Sequence, residues 1–230
     1  METRLYGDPM PAVCFSPQLR VKELEEQVDT MHTALICALN QLLDLKDLNT
    51  GFHSTRLAEW AMRVAQEMGM DESSLRNLEV AALLHDIGKM GIPDAILQKP
   101  SRLTTEEYDL MKKHPEYGWG AIRLFPTLDR ASLFILHHHE SYDGKGYPAG
   151  LRNSEIPIGS RIVSVIDSFD AMISSRPYRK GLPFEEAMRR LFESSGTQFD
   201  PQVVNCFVKI AQPEMESVFA ATGTTSTVVF

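Results

Sequence analysis

Cysteine is scarce in this chain of 230 residues, and what there is lacks a functional spacing. Cys14, Cys37 and Cys206 stand far apart and form neither a CxxC motif nor a dense disulfide pattern. The chain is therefore no small disulfide-stapled secreted domain, and a reducing compartment is indicated. A domain of this size buries roughly 70–75% of its unfolded surface and needs no covalent staples.

Long apolar runs are also missing. No stretch approaches the ~18 residues that a membrane span requires. The opening residues, METRLYGDPM, lack the charged start and apolar segment of a signal peptide. We therefore expect a cytoplasmic protein without a membrane span.

Positive charge is in short supply, since 23 Lys and Arg face 31 Asp and Glu and give a net charge of −8. Duplex nucleic acid, which requires broad basic surfaces, is a poor partner for such a chain. An anionic substrate fits only if metal ions or a few local cations reverse the sign inside a cleft.

No strand-like alternation appears, and helical periodicity predicts an all-α fold. Helices are expected over residues 21–45, 54–68, 72–85, 128–140, 160–174, 184–193 and 201–211, with two more opening at a Thr104–Glu107 capping box and at Pro115. Residues 141–157, which contain DGKGYP, are too long and specific for a simple connector. The expected organisation is an irregular arm (1–18), an N-terminal helix (19–48), a catalytic domain (40–211) and a tail (212–230).

The N-terminal helix carries an apolar stripe with alternating steps of three and four residues. The stripe comprises Val21, Leu24, Val28, Met31, Leu35, Ala38, Leu42 and Leu45. This spacing is typical of a coiled coil, which predicts a homodimer through the helix. An amphipathic helix lying on its own domain shows the same period, so both interpretations stay open.

Histidines and acids in apolar surroundings indicate a metal site. Asp86 closes the apolar helix AALLHD, and Asp167 lies within RIVSVIDSFDAM, where an uncompensated buried carboxylate would cost several kcal/mol. A metal cation removes that cost for the carboxylates and for neighbouring imidazoles together. The candidate ligands are five histidines and two aspartates, enough for two metals if a carboxylate bridges them: His53, His85, Asp86, His114, His138, His139 and Asp167.

The order of these motifs resembles the HD-GYP family, the phosphodiesterase branch of the HD superfamily. The similarity covers about residues 40–211 and is carried by HSTRLA, LLHDIGKMGIPDAILQKP, HHESYDGKGYPAGL, IPIGSRIVSVIDSFDAM and SRPYRK. An HD dipeptide alone would be weak evidence, whereas this ordered set is specific.

The resemblance implies an HD-type helical bundle with an N-terminal helical extension, acting as a metal-dependent phosphodiesterase. Its substrate would be cyclic di-GMP, opened to linear pGpG by a metal-bridged hydroxide, with further cleavage to GMP left open. His53, His85, Asp86 and Asp167 would hold one metal and Asp86, His114, His138 and His139 the other, with Asp86 bridging. Two metals suit phosphodiester hydrolysis, and mixed imidazole and carboxylate ligands favour iron or manganese.

Several further residues are expected to act on the substrate. Lys89, in HDIGK, is assigned to catalysis with Asp86 and to phosphate contact, against the alternative of a solvated lysine. Gly146 and Tyr147 are assigned to the ligand, although an ordinary turn explains the glycine. Arg176 and Arg179 supply cations for phosphate or guanine, with a helix-end charge as the competing explanation.

One departure from part of the family concerns metal number. Some members carry a glutamate four residues before the first histidine that helps to hold a third metal, whereas this chain has Asn49 there. An amide is a weak ligand for a hard cation, so we expect two divalent metals.

Two other functions remain alternatives. The chain could hydrolyse another cyclic dinucleotide such as cyclic GMP-AMP, or act as a non-catalytic cyclic-dinucleotide sensor or scaffold. The residues before about 40 are too few for a receiver, sensor or cyclase domain. We therefore expect any signal to enter through the N-terminal helix, a cyclase or other signalling partner, or the metal and redox state.

Overall fold

A computed structural model describes residues 17–47, 53–174 and 180–222 of the chain, and within these ranges the regular secondary structure is helical. The helices are α1 (Pro17–Asp47), α2 (His53–Glu67), α3 (Glu72–Leu84), α4 (Asp94–Leu97), α5 (Thr105–Met111), α6 (His114–Ile122), α7 (Asp129–Leu136), α8 (Ile158–Ile173), α9 (Phe184–Glu193) and α10 (Pro201–Thr222). The only strand-type pairing within these ranges is an isolated bridge between Ser195 and Phe199. The all-α prediction is confirmed.

The chain divides into two compact units, Met1–Cys37 and Ala38–Phe230. In the first unit the described residues form one helix, the part of α1 up to Cys37. The second unit holds all of the predicted metal ligands.

Helix α8 forms the centre of the second unit and packs against α2, α3, α7, α9 and α10. Its Ile162, Val163, Ile166 and Phe169 are almost completely buried. Burying such side chains contributes about 1.5–3 kcal/mol each, which is why this apolar helix occupies the core. Asp167 therefore projects from the most apolar helix of the bundle.

Helix starts follow established capping chemistry. Asp71 caps α3 by accepting a hydrogen bond from the Ser74 amide at 2.9 Å. Thr104 and Glu107 form the predicted capping box at the start of α5. Pro115 stands in the first turn of α6, where its missing amide hydrogen costs nothing.

Several helix boundaries differ from the sequence prediction, among them the start of α1, which lies at Pro17 and not at residue 21, and the C-terminal ends of α7 and α10. Helix α7 ends at Leu136 and not near Glu140, so His137, His138 and His139 lie in the turn that follows it. Helix α10 continues to Thr222, past Ala211 and with Pro213 in its interior. No local stop signal marks the end of α7, whereas α10 continues past Pro213, a residue that usually ends or kinks a helix.

The predictions for residues 1–16 and 223–230 and for Asn49 fall outside the described residues. Within the described ranges, no helix combines the length and apolar character needed to cross a bilayer.

Candidate metal centre and adjoining cavity

Five separate segments bring the predicted ligands together. His53 begins α2, His85 and Asp86 follow α3, and His114 begins α6. The turn after α7 supplies His138 and His139, and α8 supplies Asp167. Helix ends place polar side chains beside the core without interrupting the apolar faces that build it.

The ligands form two groups of three, each with its ligand atoms within 4.8 Å of one another. The aspartate site consists of His53, His85 and Asp167, and the histidine site consists of His114, His138 and His139. In the aspartate site, Asp167 Oδ1 lies 3.4 Å from His53 Nε2 and 3.9 Å from His85 Nε2.

Asp86 lies between the two sites and faces both. Its Oδ2 is 3.3 Å from His85 Nε2, and its Oδ1 is 3.3 Å from His114 Nε2. A carboxylate with one oxygen directed at each site is arranged as a bridging ligand.

The nitrogen atoms themselves test whether this cluster fits a metal. His114 Nδ1 donates to the Met111 carbonyl and His138 Nδ1 to the Ile135 carbonyl, which leaves their Nε2 atoms with lone pairs only 3.4 Å apart. Two acceptors cannot hydrogen-bond each other, whereas a cation satisfies both. His85 Nε2 is likewise buried without a hydrogen-bond partner among the described residues. The donor set therefore fits divalent metal ions, which agrees with the prediction that the chain binds divalent metals.

Protonation differs between the two sites. Burial, with charge from neighbouring histidines, lowers the pKa of His139 to about 4 and holds the pKa of His138 well below its usual range. In the aspartate site burial acts to lower the pKa of His53, but hydrogen bonds to Asp167 and Asp170 and their charges raise it to about 10. The negative charge that retains a proton on His53 would equally retain a metal cation.

Lys89 stands beside the bridging carboxylate, with its Nζ 2.8 Å from Asp86 Oδ2. Although burial opposes ionisation, the charges of Lys89 and His85 hold the pKa of Asp86 well below its usual range. Lys89 thus favours the anionic form of Asp86, which is the form that a bridging ligand needs.

Glu140 is a buried residue beside the site that the sequence analysis did not assign a role. This buried carboxylate accepts hydrogen bonds from the backbone amides of Ala149 at 2.7 Å and Leu151 at 3.2 Å. Because Glu140 directly follows His138 and His139, these two bonds hold the long loop next to the two histidines. The HHE sequence was the available signal, because a carboxylate next to two ligands is a natural anchor.

Tyr147 and Gly146 lie close to the metal ligands rather than out in the loop. The Tyr147 ring stacks on His139 with centroids 4.9 Å apart. A Cβ on Gly146 would overlap the Ser141 amide and lie 2.5 Å from the His139 carbonyl oxygen. Gly146 thus lets the loop pack closely against the backbone of residues 139–141. This packing keeps the loop beside His139.

A polar cavity of about 540 Å³ opens onto His138, His139 and Asp167. Gly146 and Tyr147 form one side of it. The rest of the lining includes polar side chains that the sequence analysis did not assign to the site, among them Tyr108, Ser164, Ser168, Thr197 and Gln198. The volume is in the range of sites for small organic ligands.

The remaining predicted residues lie elsewhere. Arg176 and Arg179 fall outside the described residues, within 175–179. His137, which was not predicted as a ligand, points its Nδ1 at Glu140 at 3.4 Å. His32, also not predicted as a ligand, is exposed on α1.

Comparison with known proteins fits this geometry. A family model described as HD domain matches residues 38–203, which include every ligand of both sites. The chain belongs to the HD domain family. Its motifs and relatives place it in the HD-GYP branch of that family. One relative, named cyclic di-GMP phosphodiesterase and from Thermotoga maritima, is 45% identical over 79% of this chain and 50% of its own length.

Other HD relatives carry different substrate names. A Vibrio cholerae protein named 3'3'-cGAMP-specific phosphodiesterase 2 is 33% identical over 83% of this chain and 37% of its own length. A solved V. cholerae cyclic GMP-AMP specific phosphodiesterase shares the fold, with a TM-score of 0.62 at 20% identity over 80% of this chain and 49% of its own. The chain thus spans half or less of the length of these relatives.

Proposed function

We propose that this HD-GYP chain is a phosphodiesterase that hydrolyses cyclic di-GMP to linear pGpG. The observation that carries the proposal is the pair of three-residue ligand sites facing one bridging carboxylate beside a cavity of about 540 Å³. The 45% identity to the relative named for cyclic di-GMP supports this substrate over other cyclic dinucleotides.

The two metals are proposed to be iron or manganese, because imidazole and carboxylate ligands together suit both. When bound, such ions supply Lewis acidity toward phosphate oxygens and a nucleophile at neutral pH. The chain's own residues would hold and orient the ions. Asp86 spans the two sites, Lys89 neutralises part of the charge of Asp86, and Tyr147 packs on His139. Lys89 and Tyr147, with Gly146 in the cavity wall, are also proposed to contact the substrate.

Product analysis tests this function. Purified protein reconstituted with Mn²⁺ or, without oxygen, with Fe²⁺ should convert cyclic di-GMP to pGpG at a higher kcat/KM than it converts 3'3'-cyclic GMP-AMP. The reverse order of kcat/KM would support the cyclic GMP-AMP alternative. Tight binding of a cyclic dinucleotide without turnover under either metal would instead support the sensor or scaffold alternative.

Arg176 and Arg179 are proposed to bind the substrate phosphate or guanine. We expect Arg176→Ala to raise KM or lower kcat/KM about ten-fold or more, because a lost charge-assisted hydrogen bond to phosphate is worth about 1.5–3 kcal/mol. Metal content, measured by elemental analysis, should not change. Arg123→Ala is the matched control, since Arg123 is an exposed arginine that stacks on Trp119. Equal kinetics for both variants and the unaltered protein would remove Arg176 from the site.

The apolar stripe of α1 is proposed to pair with a second copy of the chain. Val21, Val28 and Met31 are 53%, 48% and 71% exposed, and the stripe repeats with heptad spacing, which a parallel or antiparallel copy can match. We expect Val28→Glu to convert a dimer to a monomer in light scattering, because it places two charges at the seam. Glutamate favours helix more than valine does, so loss of the helix would not explain the change.

Thr33→Glu is the control for the stripe, since Thr33 is an exposed residue on the opposite face of α1. It should leave the dimer intact. A protein already monomeric at high concentration would contradict the pairing.

A cytoplasmic location and a cyclase or other signalling partner remain predictions from the sequence.

A further inference from the structure

Three histidines of the candidate metal centre are fixed by the same kind of hydrogen bond to the backbone. His85 Nδ1 donates to the carbonyl of Ala82 at 2.9 Å, three residues earlier. His114 and His138 use the carbonyls of Met111 and Ile135 in the same way, at 2.8 and 2.7 Å. Each bond fixes the ring and its tautomer and leaves Nε2 free for a metal.

His53 is held differently because it is the first residue of α2. Its Nδ1 donates to Asp170 Oδ2, 117 residues further along the chain, at 2.5 Å. Asp170 is only 1% exposed. A carboxylate is a stronger acceptor than a carbonyl, and it makes the other ring nitrogen a better donor to a metal.

Asp170 is itself held in place from the opposite side. Arg56 Nε donates to Asp170 Oδ1, and Arg56 Nη2 donates to Ser174 Oγ at 2.8 Å. Ser174 Oγ in turn donates to Asp170 Oδ2 at 3.2 Å. Arg56 lies on the same helix as His53, one turn further on. The start of α2 therefore carries both a metal ligand and the arginine that anchors the partner of that ligand.

We propose that Asp170 and Arg56 form a positioning pair that sets the metal affinity of the aspartate site. Asp170 orients His53 and strengthens Nε2 as a donor, and Arg56 fixes Asp170 so that it serves the imidazole and does not become a ligand itself. This inference rests on the two-metal centre of the proposed function. In the histidine site the Nδ1 atoms of His114 and His138 bond backbone carbonyls and not a carboxylate, so the metal affinity of that site should not depend on the pair.

Metal titration of the full chain tests the proposal without any nucleotide. Metal-free protein is titrated with Mn²⁺ by calorimetry and with Co²⁺ by visible absorption, which reports ligand geometry. Asp167→Ala, which removes a ligand of the aspartate site, identifies which binding event belongs to that site. We expect Asp170→Asn to weaken that event 10–100-fold and to alter its Co²⁺ spectrum, while the other event stays unchanged.

The two residues of the pair should act as one unit. Arg56→Met is expected to weaken the same event by a smaller factor, since the carboxylate remains but loses its anchor. Arg56→Met added to Asp170→Asn should cause no further loss, because Arg56 acts through Asp170. Arg56 is 39% exposed, so its variant tests the proposal even if Asp170→Asn fails to fold.

Asp200→Asn is the matched control. Asp200 is also a buried aspartate, 2% exposed, and is paired with an arginine, Arg161 Nη1, at 2.5 Å. Its other acceptor contact is with the Gln202 amide at 2.8 Å. This variant should leave both binding events unchanged.

Unchanged metal affinity in folded Asp170→Asn or Arg56→Met, equal weakening of both binding events, or equal weakening in Asp200→Asn would each overturn the proposal. The proposed function fails separately. A chain that binds two metals as described but leaves every cyclic dinucleotide intact would contradict the phosphodiesterase assignment and not the positioning pair.

Discussion

Replacing Asp86 with alanine is expected to abolish hydrolysis of cyclic di-GMP and to remove at least one metal from the centre. Asp86 directs one oxygen at a histidine of each site, and both distances are 3.3 Å. Without it, His85 and His114 lose the charge that they share, and neutral imidazoles cannot replace that charge. A catalytic metal stabilises the transition state by several kcal/mol, so the rate should fall about a thousand-fold or more.

Elemental analysis alongside the hydrolysis assay measures both effects. Asp200→Ala serves as the control, because it also removes a buried aspartate paired with a basic side chain, Arg161. It should keep two metals per chain, and circular dichroism should show both variants folded. A folded Asp86→Ala protein with full metal content and an unchanged rate would show that the centre lies elsewhere.

Six of the seven residues predicted as metal ligands stand at helix ends or in the turns beside them, where local sequence signals are strong, whereas Asp167 lies inside α8. His114-Pro115 marks a helix start, and His85-Asp86 closes an apolar run. Helix α9 matches its predicted range, 184–193, in full. In each of these examples the helix boundary is encoded by residues close to it in the sequence.

Features that depend on distant contacts are not visible in the sequence. Asp167 and Asp170 stand three residues apart on α8, and periodicity cannot say which one is a ligand. The structure separates them, since Asp167 faces the Nε2 atoms of His53 and His85, while Asp170 faces His53 Nδ1 and Arg56. The end of α7 at Leu136 was missed for the same reason, because the turn there is held by the loop and the Glu140 anchor.

The cavity wall is the least predictable part of the site. Ser164 and Ser168 come from α8, and Thr197 and Gln198 come from the loop between α9 and α10. Serine and threonine at these positions have no spacing that distinguishes them from ordinary surface residues. Only the packing of α8 against α9 and α10 brings the two segments to the same cavity.

Gly88→Ala is expected to give the largest loss of stability of any single methyl addition near the centre. Gly88 lies in the turn after Asp86, and a Cβ there would overlap the His114 carbonyl oxygen and lie 2.5 Å from the Gly118 amide nitrogen. Both obstacles are backbone atoms of α6, so no side chain can rotate away. The turn and α6 must separate, which moves His114 away from Asp86.

We expect this overpacking to cost at least about 3 kcal/mol, at the upper end of the usual range, and to lower the Tm by roughly 6–12 °C for a chain of this length. Metal binding at the histidine site should weaken as well, because His114 is one of its ligands. Gly120→Ala in the same helix is the control, since a Cβ there meets nothing within 4 Å. Alanine favours helix over glycine by about 1 kcal/mol, so this variant should raise the Tm slightly. Thermal unfolding of the metal-free proteins measures the difference, and equal Tm values for the two variants would contradict the close contact between the turn and α6.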